Sequence, residues 1–397
     1  MNLQLNKSNS RAVHAFAEGL VQQKLFSSIE WQVVKQNQSI SAGLQAVDTA
    51  TIASVDAPAI YRIYSMTKPI VSVVAMQLVE QNHLALDDPL SQYIPAMGAL
   101  KVLNSQGGLD ALETPITIRH LLTHTAGFSY DFQPNCNVAE QYRDVKLSGD
   151  ATRSLAEVIG MLTTLPLAYQ PGSSWKYSVA TDVLAHVIEN VTNKSLPELL
   201  SELIFKPLDM QDTAFHVAND KQERLFPMYG PRDLGDVVVE STEPNQLTQI
   251  DVDKSYPFSA DAGFYRGGHG LFSTLSDYMK FMYVLQHGVS PGGQRFMADA
   301  TLNEMWADQL DSKLLPIGVG FNLMMGYSWN LAGRLMINTE EAQFKTVHGE
   351  GGWSGAASTY FWIDRTNDIT GIAMTQYLGS TTPLGLSMMS AAYEMFE

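Results

Sequence analysis

Residues 70–79, IVSVVAMQLV, are apolar nearly all round. A helix without a polar face must be covered on every side, so this segment demands a core built around it. A chain of 397 residues is long enough to supply that core, in one large body or two domains. The segment is not a bilayer span, because Gln77, Glu80 and Gln81 interrupt it. Directly ahead of it stands YSMTKP, residues 64–69, which places Ser65 and Lys68 three positions apart.

Strand-like runs gather near both ends of the chain. Val13, Phe16, Leu20 and Val21 recur at helical spacing over 11–25, and SIEWQVVKQNQSI then reads as a strand, a polar turn and a second strand. AIYRIYS is a further short strand leading to Ser65. Near the C-terminus, STYFWID and DITGIAMTQY form a hairpin across RTND, and TPLGLSMMSAAYEMF begins a last helix at its proline. Between them, TPITIRHLLTHTAGF has a Thr-Pro helix start, and DVLAHVIENVTNKS carries Val183, Leu184, Val187, Ile188 and Val191 on one face. Residues 216–266 read as a long loop region. The pattern predicts an α+β fold, with a mostly antiparallel sheet built from both chain ends and flanked by helices. A mainly helical domain is inserted into it. The expected division is 1–85 with 260–397 as the sheet domain and 86–259 as the helical domain, the active site lying in the cleft between them.

The net charge of −16 argues against nucleic acid and against anionic membranes, both of which need clustered Lys and Arg. A single cysteine, Cys136, cannot form an internal disulfide, and QPNCNVAEQ offers it no activating partner. The start of the chain has no apolar h-region, so the expectation is a cytoplasmic protein; a periplasmic or secreted chain that had lost its leader would read the same. The nine histidines show no metal spacing, and no metal or other cofactor is expected.

On four letters alone, Ser65 and Lys68 allow two readings: a helix start with a first-turn lysine, or a nucleophile with its base. A serine hydroxyl attacks a carbonyl only if its proton has somewhere to go. Burial and a helix N-terminus both disfavour an ammonium, which suits Lys68 to accept it. Pro69 has no N–H to return to the Ser65 carbonyl, so regular helix is expected from about Thr67. Tyr177, in QPGSSWKYSVATDVLAHVIE just before an amphipathic helix, supplies a third group able to move protons.

The blocks YRIYSMTKPIVSVVAMQLVEQNHLALDDPLSQYIP, ITIRHLLTHTAGF, PGSSWKYSVATDVLAHVIENVTNKSL, IFKPLDMQDTAF and GGHGLFSTLSDYMKFM follow in this order. From about residue 28 onward the chain resembles the class C β-lactamase-related serine hydrolases, and among them the family VIII carboxylesterases. The resemblance implies a β-lactamase/penicillin-binding-protein-like fold. It makes Ser65 the acylated nucleophile, Lys68 its general base or the holder of the proton network, and Tyr177 the tyrosine that takes or returns the proton. Lys68 and Tyr177 are then a coupled pair.

Two departures from the lactamases matter. Their Lys-Thr-Gly corresponds here to HGEGGWSGAASTYFWID, where Trp353-Ser354-Gly355 gives one register and His348 an alternative one. The Ala356 N–H would join that of Ser65 as the oxyanion hole. The Asn that ends the lactamase tyrosine motif is Val179 in this chain. Loss of the Lys and the Asn favours a neutral ester over a charged β-lactam. Tyr130, Tyr265 and Trp353 are candidates to line an apolar acyl pocket, while His124 and His269 read as structural histidines.

The expected function is a serine carboxylesterase acting on small-acyl esters through an acyl-enzyme on Ser65. The alternatives are a β-lactamase or D-amino-acid-directed peptidase of the same fold, and a catalytically silent binding protein on the same scaffold. The partner is a small ester, and the oligomeric state is open. A fluorophosphonate probe should label Ser65, read by peptide mass spectrometry; a silent relative stays unlabelled.

Overall fold

The computed structural model describes residues 3–6, 9–47, 57–231 and 247–396, so the loop region expected at 216–266 lies partly outside the described residues. Among them is a seven-stranded sheet built from β1 (Ser28–Lys35), β2 (Gln38–Ala46), β3 (Tyr327–Trp329), β4 (Arg334–Met336), β5 (Gly351–Ser354), β6 (Tyr360–Asp364) and β7 (Ile369–Met374). The spatial order is β2-β1-β7-β6-β5-β4-β3, and every adjacent pair is antiparallel. The β1–β7 pair joins the two ends of the chain, with Trp31 opposite Ala373. Two tight hairpins set the register. Gln36 and Asn37 take left-handed φ of 50° and 62° between β1 and β2, as a twisted two-residue connection needs, and residues 365–368 turn β6 into β7.

The strand period of two sorts side chains onto two faces. Ile29, Trp31 and Val33 of β1, Tyr360 and Trp362 of β6, and Ile369 and Ala373 of β7 pack into one cluster with α1 (Ala12–Gln22) and the C-terminal helix (Leu384–Glu394). The alternate residues Phe361, Ile363, Ile372 and Met374 join the larger cluster on the other face. That cluster contains α2 (Thr67–Glu80), α3 (Ala180–Thr192) and α4 (Leu275–His287), and the C-terminal helix is α5.

Helix α2 begins at Thr67, as Pro69 requires, and every residue from Thr67 to Leu78 is buried. Ile70, Val71, Val73 and Val74 keep no exposed surface, each such burial contributing roughly 1.5–3 kcal/mol. The helix ends where Asn82 turns left-handed at φ 59°. Two expected elements are shorter than the sequence pattern implied. The strand before Ser65 is only Tyr61–Arg62, paired with Phe272–Ser273. The helix expected from the Thr-Pro pair runs only over Ile118–Leu122: Thr117 caps its start by accepting the His120 N–H, and His124 turns left-handed at φ 57° just after its end. Among the described residues, no helix is long and apolar enough to cross a membrane.

A buried ion pair anchors β5. Arg334 Nη2 lies 2.5 Å from Glu350 Oε1, and Tyr327 Oη donates to Glu350 Oε2 at 3.0 Å. Both charges are fully enclosed, so removing one strands the other in a low-dielectric interior. Glu350→Ala should therefore lower unfolding free energy by about 3–5 kcal/mol in a denaturant titration.

Candidate active site

Ser65 sits in a single 3₁₀ turn, Tyr64–Met66, that runs straight into α2. Tyr64 precedes it at φ 43°, a left-handed conformation that costs a non-glycine residue on the order of 1 kcal/mol and is held by the surrounding packing. One turn on, Lys68 is enclosed, with 3% of its surface exposed. Its Nζ lies 3.2 Å from Ser65 Oγ, 2.9 Å from Tyr130 Oη and 2.7 Å from the Gly268 carbonyl oxygen. It also lies over the Tyr177 ring, 4.6 Å from the centroid. Burial disfavours the ammonium and brings the Lys68 pKa down to about 7, against the opposing pull of Asp182. The amine is thus available as a base near neutrality. The Gly268 carbonyl can only accept, so one N–H must point to it. A second N–H satisfies Tyr130, which leaves the lone pair of the neutral amine for Ser65 Oγ.

Tyr177 reaches the same point from the opposite side. It shares a hydrogen bond with Ser65, and Trp353 Nε1–H donates to its Oη at 3.0 Å. Burial raises the Tyr177 pKa, and the hydrogen bonds from Ser65 and Trp353 act to lower it. The loop carrying Tyr177 is pinned by the segment before it in sequence. Gln133 Nε2 donates to the Tyr177 carbonyl at 2.9 Å, the Val179 N–H to the Ser129 carbonyl at 3.2 Å, and the Lys176 N–H to the His124 carbonyl at 3.1 Å. His124 Nδ1 lies 3.1 Å from Ser178 Oγ, and burial holds that imidazole well below its ordinary pKa. His124 is the structural histidine expected of it. The ITIRHLLTHTAGF and YSVATD blocks therefore form one locked unit.

The glycine after Trp353-Ser354 is dictated by a close approach. A Cβ on Gly355 would stand 2.4 Å from the Ile63 carbonyl oxygen and 2.3 Å from Thr359 Oγ1. The turn leaving β5 can thus lie against the residues that lead into Ser65. Among the described residues, the Ala356 N–H at the tip of this turn has no backbone partner.

Several expectations need correction. His348 is exposed on the loop before β5, whereas Trp353 meets Tyr177, so of the two registers the structure brings Trp353 to the site and leaves His348 outside it. Tyr265 packs edge-on against Phe215, with ring centroids 5.6 Å apart, beside a separate cavity of about 460 Å³. Tyr130 is no mere pocket wall, since it holds Lys68. Phe132, 40% exposed, stacks on the outer side of the Tyr130 ring. The expectation that the chain holds no G-x-S-x-G is also corrected: GVSPG stands at residues 288–292, but it follows a helix instead of a strand. Its Ser290 Oγ accepts the Gln294 N–H at 3.0 Å in a turn, with none of the geometry of a nucleophile elbow.

Sequence reasoning missed Asp182, which is buried in the first turn of α3, and Trp329, which lies 4.6 Å from Trp353 in a T-shaped contact. Asp182 falls five residues after Tyr177, on the side of α3 that goes on to carry His186 and Glu189, so the sequence did not set it apart from a solvated carboxylate.

Fold and site together define a family. Residues 13–386 match the Beta-lactamase family model, and the chain belongs to that family. It is 29% identical to Protein Rv1367c of Mycobacterium tuberculosis over 389 residues, spanning 95% of this chain and 90% of that protein. It is 26% identical to Esterase EstB of Burkholderia gladioli over 343 residues, spanning 84% of this chain and 82% of EstB. The fold superposes on that of EstCE1, described as a hydrolase with promiscuous acyltransferase activity, with a TM-score of 0.78 at 22% identity over 98% of this chain and 99% of that one.

Trp353→Phe keeps a ring in place and removes only the donor to Tyr177. If Tyr177 moves the Ser65 proton, this loss should lower kcat for an ester substrate by about tenfold, the worth of one hydrogen bond, while leaving the melting temperature within a few degrees.

Proposed function

We propose that this protein is a serine carboxylesterase that hydrolyses neutral, small-acyl esters through an acyl-enzyme on Ser65. The observation that carries the reading is the buried Lys68 amine, poised near neutrality 3.2 Å from a hydroxyl that is also bonded to Tyr177. Ser65 Oγ attacks the ester carbonyl carbon, and its proton passes to the Lys68–Tyr177 pair. The N–H groups of Ser65 and Ala356 hold the oxyanion. Collapse of the tetrahedral adduct expels the alcohol, which takes a proton back from Tyr177. Water then adds to the acyl-enzyme and the acid leaves. The site lies in a cleft in this reading, with Ser65, Lys68 and Trp353 from the sheet body (1–85 and 260–397) and Tyr130 and Tyr177 from the insertion (86–259).

The choice of a neutral substrate rests on what surrounds the nucleophile. Trp175, Tyr177, Trp329, Trp353 and His124 form a contiguous group of rings, and burial keeps His124 uncharged. The nearby Arg266 is committed to the Arg153 and Tyr265 carbonyls. With Trp353 where the lactamases carry a lysine, a β-lactam or peptide carboxylate finds no cation at that position. The likeness to EstB supports an esterase. The likeness to EstCE1 supports a second reading of the deacylation step, in which an alcohol displaces the acyl group in place of water.

A paired assay tests the proposal. Wild type should cleave p-nitrophenyl butyrate well and a chromogenic cephalosporin poorly, and Ser65→Ala should lose about a thousandfold or more on the ester. Lys68 must be neutral to accept a proton, so kcat/KM should fall as pH drops through about 7. A preference for the cephalosporin, or full activity in Ser65→Ala, overturns the reading.

A further inference from the structure

Helix α3 delivers a carboxylate to the floor of the site. Asp182, 2% exposed, accepts the Gly268 N–H on Oδ1 at 3.0 Å, and the Gly267 N–H also bonds to it. The carbonyl of the same Gly268 receives Lys68 Nζ at 2.7 Å. The approach is close enough to exclude any side chain. A Cβ on Gly268 would lie 2.7 Å from both Asp182 Oδ2 and Tyr130 Oη, and one on Gly267 would lie 2.4 Å from the Thr181 carbonyl oxygen. One residue, Gly268, therefore links Asp182 to Lys68, with its N–H on the carboxylate and the carbonyl of its next peptide unit on the amine.

We propose that Asp182 is a positioning residue for Lys68, fixing the Gly267–Gly268 segment that aims the amine at Ser65 and setting, through its charge, the pH at which that amine becomes a base. The mechanistic meaning of this role rests on the esterase reading above; the link between Asp182 and Lys68 does not.

The electrostatics run in both directions. Burial pushes the Asp182 pKa up, while the Gly268 and Gly267 N–H groups, Lys68 and Arg266 favour its ionised form. Lys68 in turn is pulled up by Asp182 against its own burial. The other titratable groups facing the pair are Tyr130 and Tyr177, both kept protonated by burial, and His124 and His269, both kept neutral by burial. Arg266, whose pKa burial lowers, faces Asp182 from the loop. Asp182 is thus the negative charge among the groups that face Lys68. Without it, burial would hold the amine neutral over a wider pH range, but its direction would be less well defined. The sign follows: loss of the charge must move the Lys68 titration to lower pH.

The test uses the full chain with lysine carrying ¹³C at Cε, the Lys68 signal assigned by its loss in Lys68→Met. Asp182→Asn is nearly isosteric and can still accept the Gly268 N–H. The Lys68 midpoint should lie near 7 in wild type and fall by about one unit in Asp182→Asn. Should Asp182→Asn not fold, carboxyl-labelled Asp in Lys68→Met gives the reciprocal reading, and the Asp182 midpoint should rise there because its cation is gone. A midpoint that stays put in whichever variant folds overturns the proposal. The fluorophosphonate labelling rate against pH separates the two claims. If Lys68 shifts but wild type neither labels nor cleaves esters, the esterase reading fails and the Asp182–Lys68 link stands. If wild type is active and the acid limb of Asp182→Asn coincides with that of wild type, Asp182 is only structural.

Discussion

The site depends on the burial of one amine. An enclosed lysine is costly as a cation, and the protein meets that cost by allowing neutralisation near pH 7 while giving each N–H a fixed acceptor. The rest follows from keeping that environment dry and fixed. Helix α2 is buried on every face, so the turn that presents Ser65 and Lys68 cannot rock on its base. Gly268 and Tyr130 close around Nζ, and Tyr177 and Trp353 shield the far side.

The tyrosine opposite is tuned by different means. A lysine in the third motif would offer a positive charge beside Tyr177 and an anchor for anionic substrates. Trp353 offers only a neutral donor. It still favours the phenolate, though less strongly, and it supplies apolar surface where a charge would otherwise stand. In the esterase reading, this one change of residue type bears on both the proton chemistry and the kind of molecule that fits.

Much of this was legible from residues alone because it is local. The all-round apolar run of α2, the proline that delays its start to Thr67, and the strand patterns near the two chain ends all depend on neighbours within a few positions. Ser65 and Lys68 share a helix face for the same reason. Tyr130 was singled out in the sequence for the wrong task, as a wall of an acyl pocket, because nothing in TAGFSY says that its hydroxyl ends 2.9 Å from a lysine 62 positions away. His348 and Trp353 could not be separated by spacing, since a shift of register along a glycine-rich strand costs little in local terms.

The sequence by itself determined that Ser65 and Lys68 stand one turn apart at the head of a buried helix, and that the sheet closes between the two ends of the chain. Backbone geometry over a few residues suffices for the first, and the strand-like alternation gathered at both chain ends pointed to the second. Only the tertiary structure decided which groups make that lysine a base. Its pKa depends on desolvation and on the charge of Asp182 brought from α3, while Gly268 and Tyr130 hold its N–H groups, none of them near it in sequence. Coulombic and desolvation effects fall off with distance in space, so they become readable only once the chain has folded.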